Sequence, residues 1–181
     1  MNEIDEILLE KIKSGDIEAF TALVRAVEHK MLCTSYRILG QHSDAEEVRQ
    51  CVLLKIWEKP ETLPAGDRFW AWLHRCVVNE SIAKLRRIRR EQERNAGLSI
   101  RPVQPTSGAH CCEVDQLRKA MDKLTPEQRA ILSLKFDSQM TVRQIGQILE
   151  QPFTTVQSKL KKAVAELRAL MTTSDRDEGK T

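Results

Sequence analysis

The sequence predicts an all-α protein: two small helical domains joined by a flexible linker, the second a helix-turn-helix. Three observations carry that expectation. Apolar residues recur at three- and four-residue spacing along most of the chain, whereas the alternation expected of strands is nearly missing. The pattern dissolves once, between residues 94 and 112, where NAGLSIRPVQPTSGAH carries two prolines and two glycines. Near the C-terminus, a short periodic stretch, a turn and a longer periodic stretch follow one another. With 181 residues and 41% hydrophobic content, the chain can bury a core in each half.

Ile4, Ile7, Leu8 and Ile12 share one helical face, and Ser14-Gly15-Asp16 ends that run. A second helix, about Ile17 to Leu39, carries Phe20, Leu23, Val24, Val27 and Met31 on one side, with Gly40 as its C-cap. Ser43 or Asp44 caps a third helix running to about Trp57. Pro60 and Pro64 then bracket the loop EKPETLPAGD. The fourth helix, RFWAWLHRCVVNESIAKLRRIRR from Arg68 to Arg90, is aromatic at its start and basic at its end. At about 100° per residue, Trp72, Arg75, Asn79, Arg86 and Arg90 fall on one side. Phe69, Leu73, Cys76 and Val77 fall on another, suited to burial. These elements make a first domain of residues 1–93.

Beyond the linker (94–112), helical spacing resumes at Val114, Leu117, Met121 and Leu124. Thr125-Pro126-Glu127-Gln128 is a capping box with proline in the first helical position, and Thr141-Val142-Arg143-Gln144 is a second box. The helix from Val142 to Leu149, the turn Glu150-Gln151-Pro152 and a helix from Phe153 to about Met171 complete a domain of residues 113–171. The polar tail, residues 172–181, is expected to be disordered.

Charge and cysteine usage narrow the function classes. The net charge is only +3, but cations gather in Lys84 to Arg94 and Lys159 to Lys162, and anions around Asp44 to Glu47. Such asymmetry fits a polyanion on one side and a protein partner on another. No apolar run approaches the roughly 20 residues of a membrane span, and the acidic, amphipathic N-terminus is unlike a signal peptide. A cytoplasmic protein without membrane insertion is expected. Cys33, Cys51 and Cys76 sit in helical patterns as small hydrophobes. His110, Cys111 and Cys112 lack a C-x-x-C partner, so no metal or cofactor is assigned.

In the helix-turn-helix, Val156, Leu160, Ala163, Val164 and Leu167 give the second helix an inner face. Its outer part presents Thr154, Gln157, Ser158, Lys161 and Lys162. Gln pairs bidentately with adenine, Ser adapts, and Lys reaches guanine or phosphate. Such a helix suits the DNA major groove, although a helical hairpin can also be a packing unit.

Taken in order, the segments resemble an extracytoplasmic-function (ECF) RNA polymerase sigma factor of the sigma-70 superfamily. Gly15-Asp16, Ala19-Phe20 and Leu23 resemble the opening helices. Arg37-Ile38-Leu39-Gly40, Asp44-Ala45-Glu46-Glu47-Val48, Gln50 and Leu54-Lys55-Ile56-Trp57 resemble the polymerase-binding helix. Phe69, Trp72, Leu73, Asn79, Leu85, Arg86 and Arg87 follow the promoter-melting helix. Leu124, Pro126, Arg129, Leu132, Leu134, Ile145, Pro152, Thr155, Val156, Ser158, Leu160, Ala163 and Leu167-Arg168 continue the match through the second domain.

The resemblance implies a non-enzymatic specificity subunit whose partners are core RNA polymerase, promoter DNA and an anti-sigma factor. Polymerase docking would fall to Glu46, Glu47, Gln50 and Leu54, with Leu54 and Trp57 open to a core role instead. The minus-ten element would be met and opened by Trp72, Arg75, Asn79, Arg86, Arg87 and Arg90, with a base-selecting loop at Lys59 to Asp67. Thr155 and Lys159 join the minus-thirty-five set of Thr154, Gln157, Ser158, Lys161 and Lys162. Cys51, Ala83, Thr154, Lys159 and Val164 depart from the family pattern, which weakens arginine-type readout upstream. Two rivals stand beside this reading. One is a stand-alone helix-turn-helix transcriptional regulator; the other is a thiol enzyme using His110 and Cys111, or His74 and Cys76. The second lacks a Gly-rich loop, clustered carboxylates or an ordered triad.

Overall fold

The computed structural model describes residues 4, 6–64, 66, 68–94 and 112–178. Among them the fold is all helical: α1 (Glu6–Lys13), α2 (Ile17–Leu39), α3 (His42–Glu58), α4 (Arg68–Arg94), α5 (Cys112–Lys123), α6 (Pro126–Phe136), α7 (Val142–Leu149) and α8 (Phe153–Glu178). A single turn of tighter helix, Pro60–Thr62, stands between α3 and α4. Most of the proposed linker, with His110 and Cys111, lies outside the described residues.

Local chemistry sets most helix ends. The Asp16 carboxylate accepts from the backbone N–H groups of Glu18 and Ala19 at 2.8 and 3.0 Å, which starts α2. Gly40 ends it in the left-handed region at φ 77°, its N–H donating to the Tyr36 carbonyl. A side chain at Gly40 would also crowd Asp122, 3.3 Å from where its Cβ would lie. Both expected capping boxes form, at Thr125 with Gln128 and at Thr141 with Gln144.

Three boundaries differ from expectation. Helix α3 begins at His42 behind Gln41, with no side-chain cap, so Ser43 and Asp44 lie inside its first turn. There Asp44 directs its carboxylate to Lys84, 3.2 Å away. Helix α4 continues past Arg90 to Arg94, since no Gly or Pro intervenes and Arg89 pairs with Glu93 at 2.8 Å. Helix α8 runs on to Glu178, into the segment expected as a disordered tail, because no helix breaker precedes Gly179.

Leu9, Ile12, Leu23, Val27, Met31, Val52, Ile56, Phe69, Leu73 and Val77 form the core beneath α1 to α4. A second core joins the two halves. Ile38 of α2 and Val78 of α4, both fully buried, pack with Ala130, Ile131 and Leu134 of α6, with Ile145 and Ile148 of α7 and with Val156 of α8. The Arg37–Asp137 ion pair, at 2.8 Å, and the Arg75–Glu150 pair cross the same boundary. The halves are therefore packed together rather than merely tethered. The helix-turn-helix corner depends on Gly146, whose missing Cβ would lie 2.7 Å from the Gln151 carbonyl oxygen. That gap lets the turn fold back over α7.

Candidate polymerase and DNA interfaces

On α3, the four expected docking residues have different surroundings. Glu46 pairs with Arg49, which also reaches Glu28 at 3.6 Å. Glu47 accepts hydrogen bonds from Lys84 and from Arg87, the latter at 2.6 Å. The Lys84 and Arg87 hydrogen bonds, in that order, hold its carboxyl below the usual carboxylate range. Gln50 is exposed. Leu54 and Trp57 are 56% and 42% exposed, so neither is a core residue, and Trp57 sits 5.0 Å from the Phe20 ring. Acceptors and apolar anchors thus share one accessible face of α3.

Lys84 is the residue that sequence reasoning missed. Its side chain is only 11% exposed and lies between Asp44 and Glu47. Burial pulls its ammonium down, but the hydrogen bonds to Glu47 and Asp44 outweigh that and hold it up. A lysine in a basic run gives no sequence signal for such a role; only the antiparallel packing of α3 on α4 brings the partners together.

Along α4, Asn79, Arg86 and Arg90 are exposed as expected. Arg87 is drawn to Glu47, and Arg75 to Glu150 at the corner of the helix-turn-helix. Trp72 is half-buried, its ring 6.1 Å from Phe69. Trp70 is half-buried too, and the Lys30 ammonium sits over its ring at 4.1 Å from the centroid. In the loop before α4, residues 65 and 67 lie outside the described residues. His74 is buried and its imidazole is held down at about 4 by burial and by Lys30, while burial pushes the Cys76 thiol up. Cys76 is half-buried, and a thiol whose pKa is raised is a weaker nucleophile at a given pH.

On α8, Thr154, Gln157, Ser158, Lys161 and Lys162 are exposed, and Thr155 is half-buried. Lys159 turns away from this face. It donates to Glu127 at 2.8 Å and Gln151 at 2.9 Å, bracing α8 against the start of α6 and the turn. Val164 packs with Leu124, Leu132 and Ala163, so its departure from the family pattern is a packing residue here. Ala83 is exposed and Cys51 half-buried. No helix among the described residues is long and apolar enough to cross a membrane.

This architecture, four helices packed onto a helix-turn-helix, can be set beside known proteins. The sigma-70 region 2 family matches residues 23–91, and the sigma-70 region 4 family matches residues 115–167. Together the two matches span well over half of the chain, in the family's order. The chain belongs to the sigma-70 family of RNA polymerase sigma factors. It is of the ECF class and directs transcription initiation.

Relatives extend over nearly the full length. The ECF RNA polymerase sigma factor SigW of Bacillus subtilis is 24% identical over 88% of this chain and 92% of its own. The ECF RNA polymerase sigma-E factor of Escherichia coli is 24% identical over 88% of this chain and 90% of its own. Among solved structures, the sigma factor RpoE in complex with the anti-sigma factor NepR, from Bartonella quintana, superposes with a TM-score of 0.71. It is 22% identical, covering 86% of this chain and 98% of that one. CnrH, solved with the cytosolic domain of CnrY, gives a TM-score of 0.65 at 21% identity over 93% and 97%. These likenesses establish the fold of the sigma factor.

Proposed function

We propose that this sigma factor works in the cytoplasm, docks on core RNA polymerase through α3, opens the minus-ten element with α4 and reads the minus-thirty-five element with α8. The observation that carries this reading is the accessible face of α3, where Glu47, Gln50, Leu54 and Trp57 combine acceptors with exposed apolar anchors. A cationic, partly apolar partner complements such a face, and a few anchors supply most of the energy of an interface. Glu46 contributes charge at its edge.

For opening, Asn79 offers both a donor and an acceptor to an unstacked base, and Trp72 supports the aromatic start of the helix. Arg75, Arg86, Arg87 and Arg90 would hold phosphates along the separated strand. Upstream, Thr154, Thr155, Gln157, Ser158, Lys161 and Lys162 meet the duplex, and Lys159 sets their presentation through its brace to Glu127 and Gln151. The work of opening is drawn from binding free energy, so no chemical step is assigned to the protein. An anti-sigma factor is proposed as a further partner, on the precedent of RpoE with NepR.

Run-off transcription with core polymerase on a promoter library tests the reading. Template-specific initiation is expected; none, with folded protein and intact core binding, would refute it. Asn79→Ala should slow opening on duplex DNA and be relieved by a pre-melted template. A defect that persists on the pre-melted template would remove Asn79 from the opening role.

A further inference from the structure

The first residue of the recognition helix has no buried counterpart to explain it. Phe153 is 51% exposed, although Val156 and Ala163 further along α8 are fully buried. It is exposed even with the two halves packed together, so the boundary between them does not account for it. Its backbone is fixed: the absent Cβ of Gly146 would lie 3.6 Å from the Phe153 nitrogen and 3.7 Å from its Cα. The Arg143 guanidinium approaches the ring from the start of α7, 6.0 Å from the centroid.

The ring is therefore held at a defined place, one helical turn before Gln157 and continuous with the exposed face of Thr154, Gln157 and Lys161. Residues at the start of a recognition helix reach base edges. In the major groove the one apolar feature that differs between bases is the thymine methyl group, and phenylalanine is among the side chains that contact it. Charge agrees with this partner, since Arg143 approaches the ring, and Lys161 and Lys162 are exposed about two turns further along α8. The arginine-type readers of the family are also missing, with Lys159 engaged by Glu127 and Val164 half-buried against Leu124, Leu132 and Ala163. Discrimination must then come from other groups.

We propose that Phe153 is a specificity-determining residue that reads a thymine methyl group in the upstream promoter element, with Arg143 holding the adjacent phosphate. This rests on the reading of α8 as the upstream recognition helix.

The test uses holoenzyme reconstituted with core RNA polymerase and an upstream duplex selected by that holoenzyme from a randomised pool. Each thymine is replaced in turn by deoxyuridine, which removes only the methyl group, and affinity is measured. Wild type should lose roughly threefold to fivefold at one position, the scale of one buried methyl. Phe153→Ala should bind thymine and uracil alike at that position while keeping its other preferences. Phe153→Leu should retain part of the discrimination. Arg143→Ala should weaken all sequences equally and make the salt dependence shallower by about one phosphate contact. A Phe153→Ala holoenzyme with the full wild-type deoxyuridine penalty would overturn the proposal, as would a wild type indifferent to every methyl group. If no upstream base of any kind alters wild-type binding, the recognition reading of α8 fails first and this inference falls with it.

Discussion

On α4, Arg75 sits against Glu150, Lys84 lies between Asp44 and Glu47, and Arg87 reaches Glu47. On α8, Lys161 and Lys162 are exposed and have no carboxylate partner among the described residues. Both helices are basic, and both are proposed to meet DNA, yet several of their cations are in opposite states. Lys161 and Lys162 are open to a phosphate. On α4, Arg75, Lys84 and Arg87 would first have to exchange a protein carboxylate for a phosphate, whereas Arg86 and Arg90 are exposed. The difference follows from packing: α4 is covered by α3 on one side and by the α7–α8 corner on another, whereas α8 keeps an open outer face. If α8 reads the upstream element and α4 opens the minus-ten element, as proposed, upstream contact costs little rearrangement, whereas use of Arg75 requires its release from Glu150 across the boundary between the halves.

The most forceful way to break the contrast is to separate the halves. Val78 is fully buried in the core shared with α6 and α7, and Val78→Asp would place a charge there. An uncompensated buried charge costs about 3–5 kcal/mol, enough to favour a hydrated, opened boundary. The expected outcome is a larger radius of gyration by small-angle scattering, with helix content kept by circular dichroism. Arg75 would then be free of Glu150, and binding to random duplex DNA should tighten. An unchanged radius with retained helix would show that this core does not hold the halves together.

Acid acts on the α4 side of the comparison. Unfolded, the His74 imidazole titrates near 6.5; folded, burial and Lys30 hold it at about 4. Between those values the unfolded chain binds the extra proton, so stability rises with pH through the window and falls on acidification. From pH 7 to pH 5 the loss should be about 2 kcal/mol. The lowered carboxylates of Glu47 and Glu127 act further down, below their ordinary 4.5. Denaturant titrations at the two pH values should show the loss in wild type and a much flatter response in His74→Leu. An equal loss in both would assign the acid sensitivity elsewhere.

How much of this was legible beforehand depends on the range of the interaction involved. The bounds of α2 and α7, the start of α8 and both capping boxes follow rules that span three or four residues, and all were predicted. The start of α3 was missed because Asp44 has a competing partner far along the chain in Lys84. Lys159 was expected as a DNA contact, and its engagement with Glu127, 32 residues away, lay beyond any local pattern. Ile38 and Val78 were ordinary helix-periodic residues until the second half of the chain covered them. Nothing in composition distinguishes a lysine that faces DNA from one that braces a turn.

On the α8 side, Gly146→Ala probes the corner that aims the recognition helix. The new methyl would meet the Gln151 carbonyl oxygen, a backbone atom that cannot swing aside, at 2.7 Å. Overpacking of this kind costs about 1–3 kcal/mol, partly offset by the roughly 0.5–1 kcal/mol that alanine gains over glycine within a helix. A net loss of about 1–2 kcal/mol is expected in denaturant unfolding. Promoter binding should weaken more upstream than at the minus-ten element, because the turn moves α8 and leaves α4 in place. Equal weakening at both elements would argue that the corner also positions α4 through Glu150.

The smallest effect separates the two kinds of lysine within α8 itself. Lys159 is engaged by Glu127 and Gln151, and Lys161, two residues on, is exposed. Lys159→Ala should cost about 0.5–1 kcal/mol of stability, the usual worth of a partly exposed ion pair, and leave the salt dependence of DNA binding unchanged. Lys161→Ala should leave stability within about 0.5 kcal/mol of wild type and lower the logarithmic salt slope by about 0.9, one phosphate neutralised. Paired measurements on the two variants, unfolding by denaturant and promoter binding across a salt series, give a crossed pattern if position on the helix determines role. If Lys159→Ala changes the slope as much as Lys161→Ala does, the Glu127 brace exchanges for phosphate on binding. The contrast between engaged and free cations would then be one of sequence in time rather than of function: α4 and α8 would both hold cations in reserve, and Lys161 and Lys162 would make only the first contact.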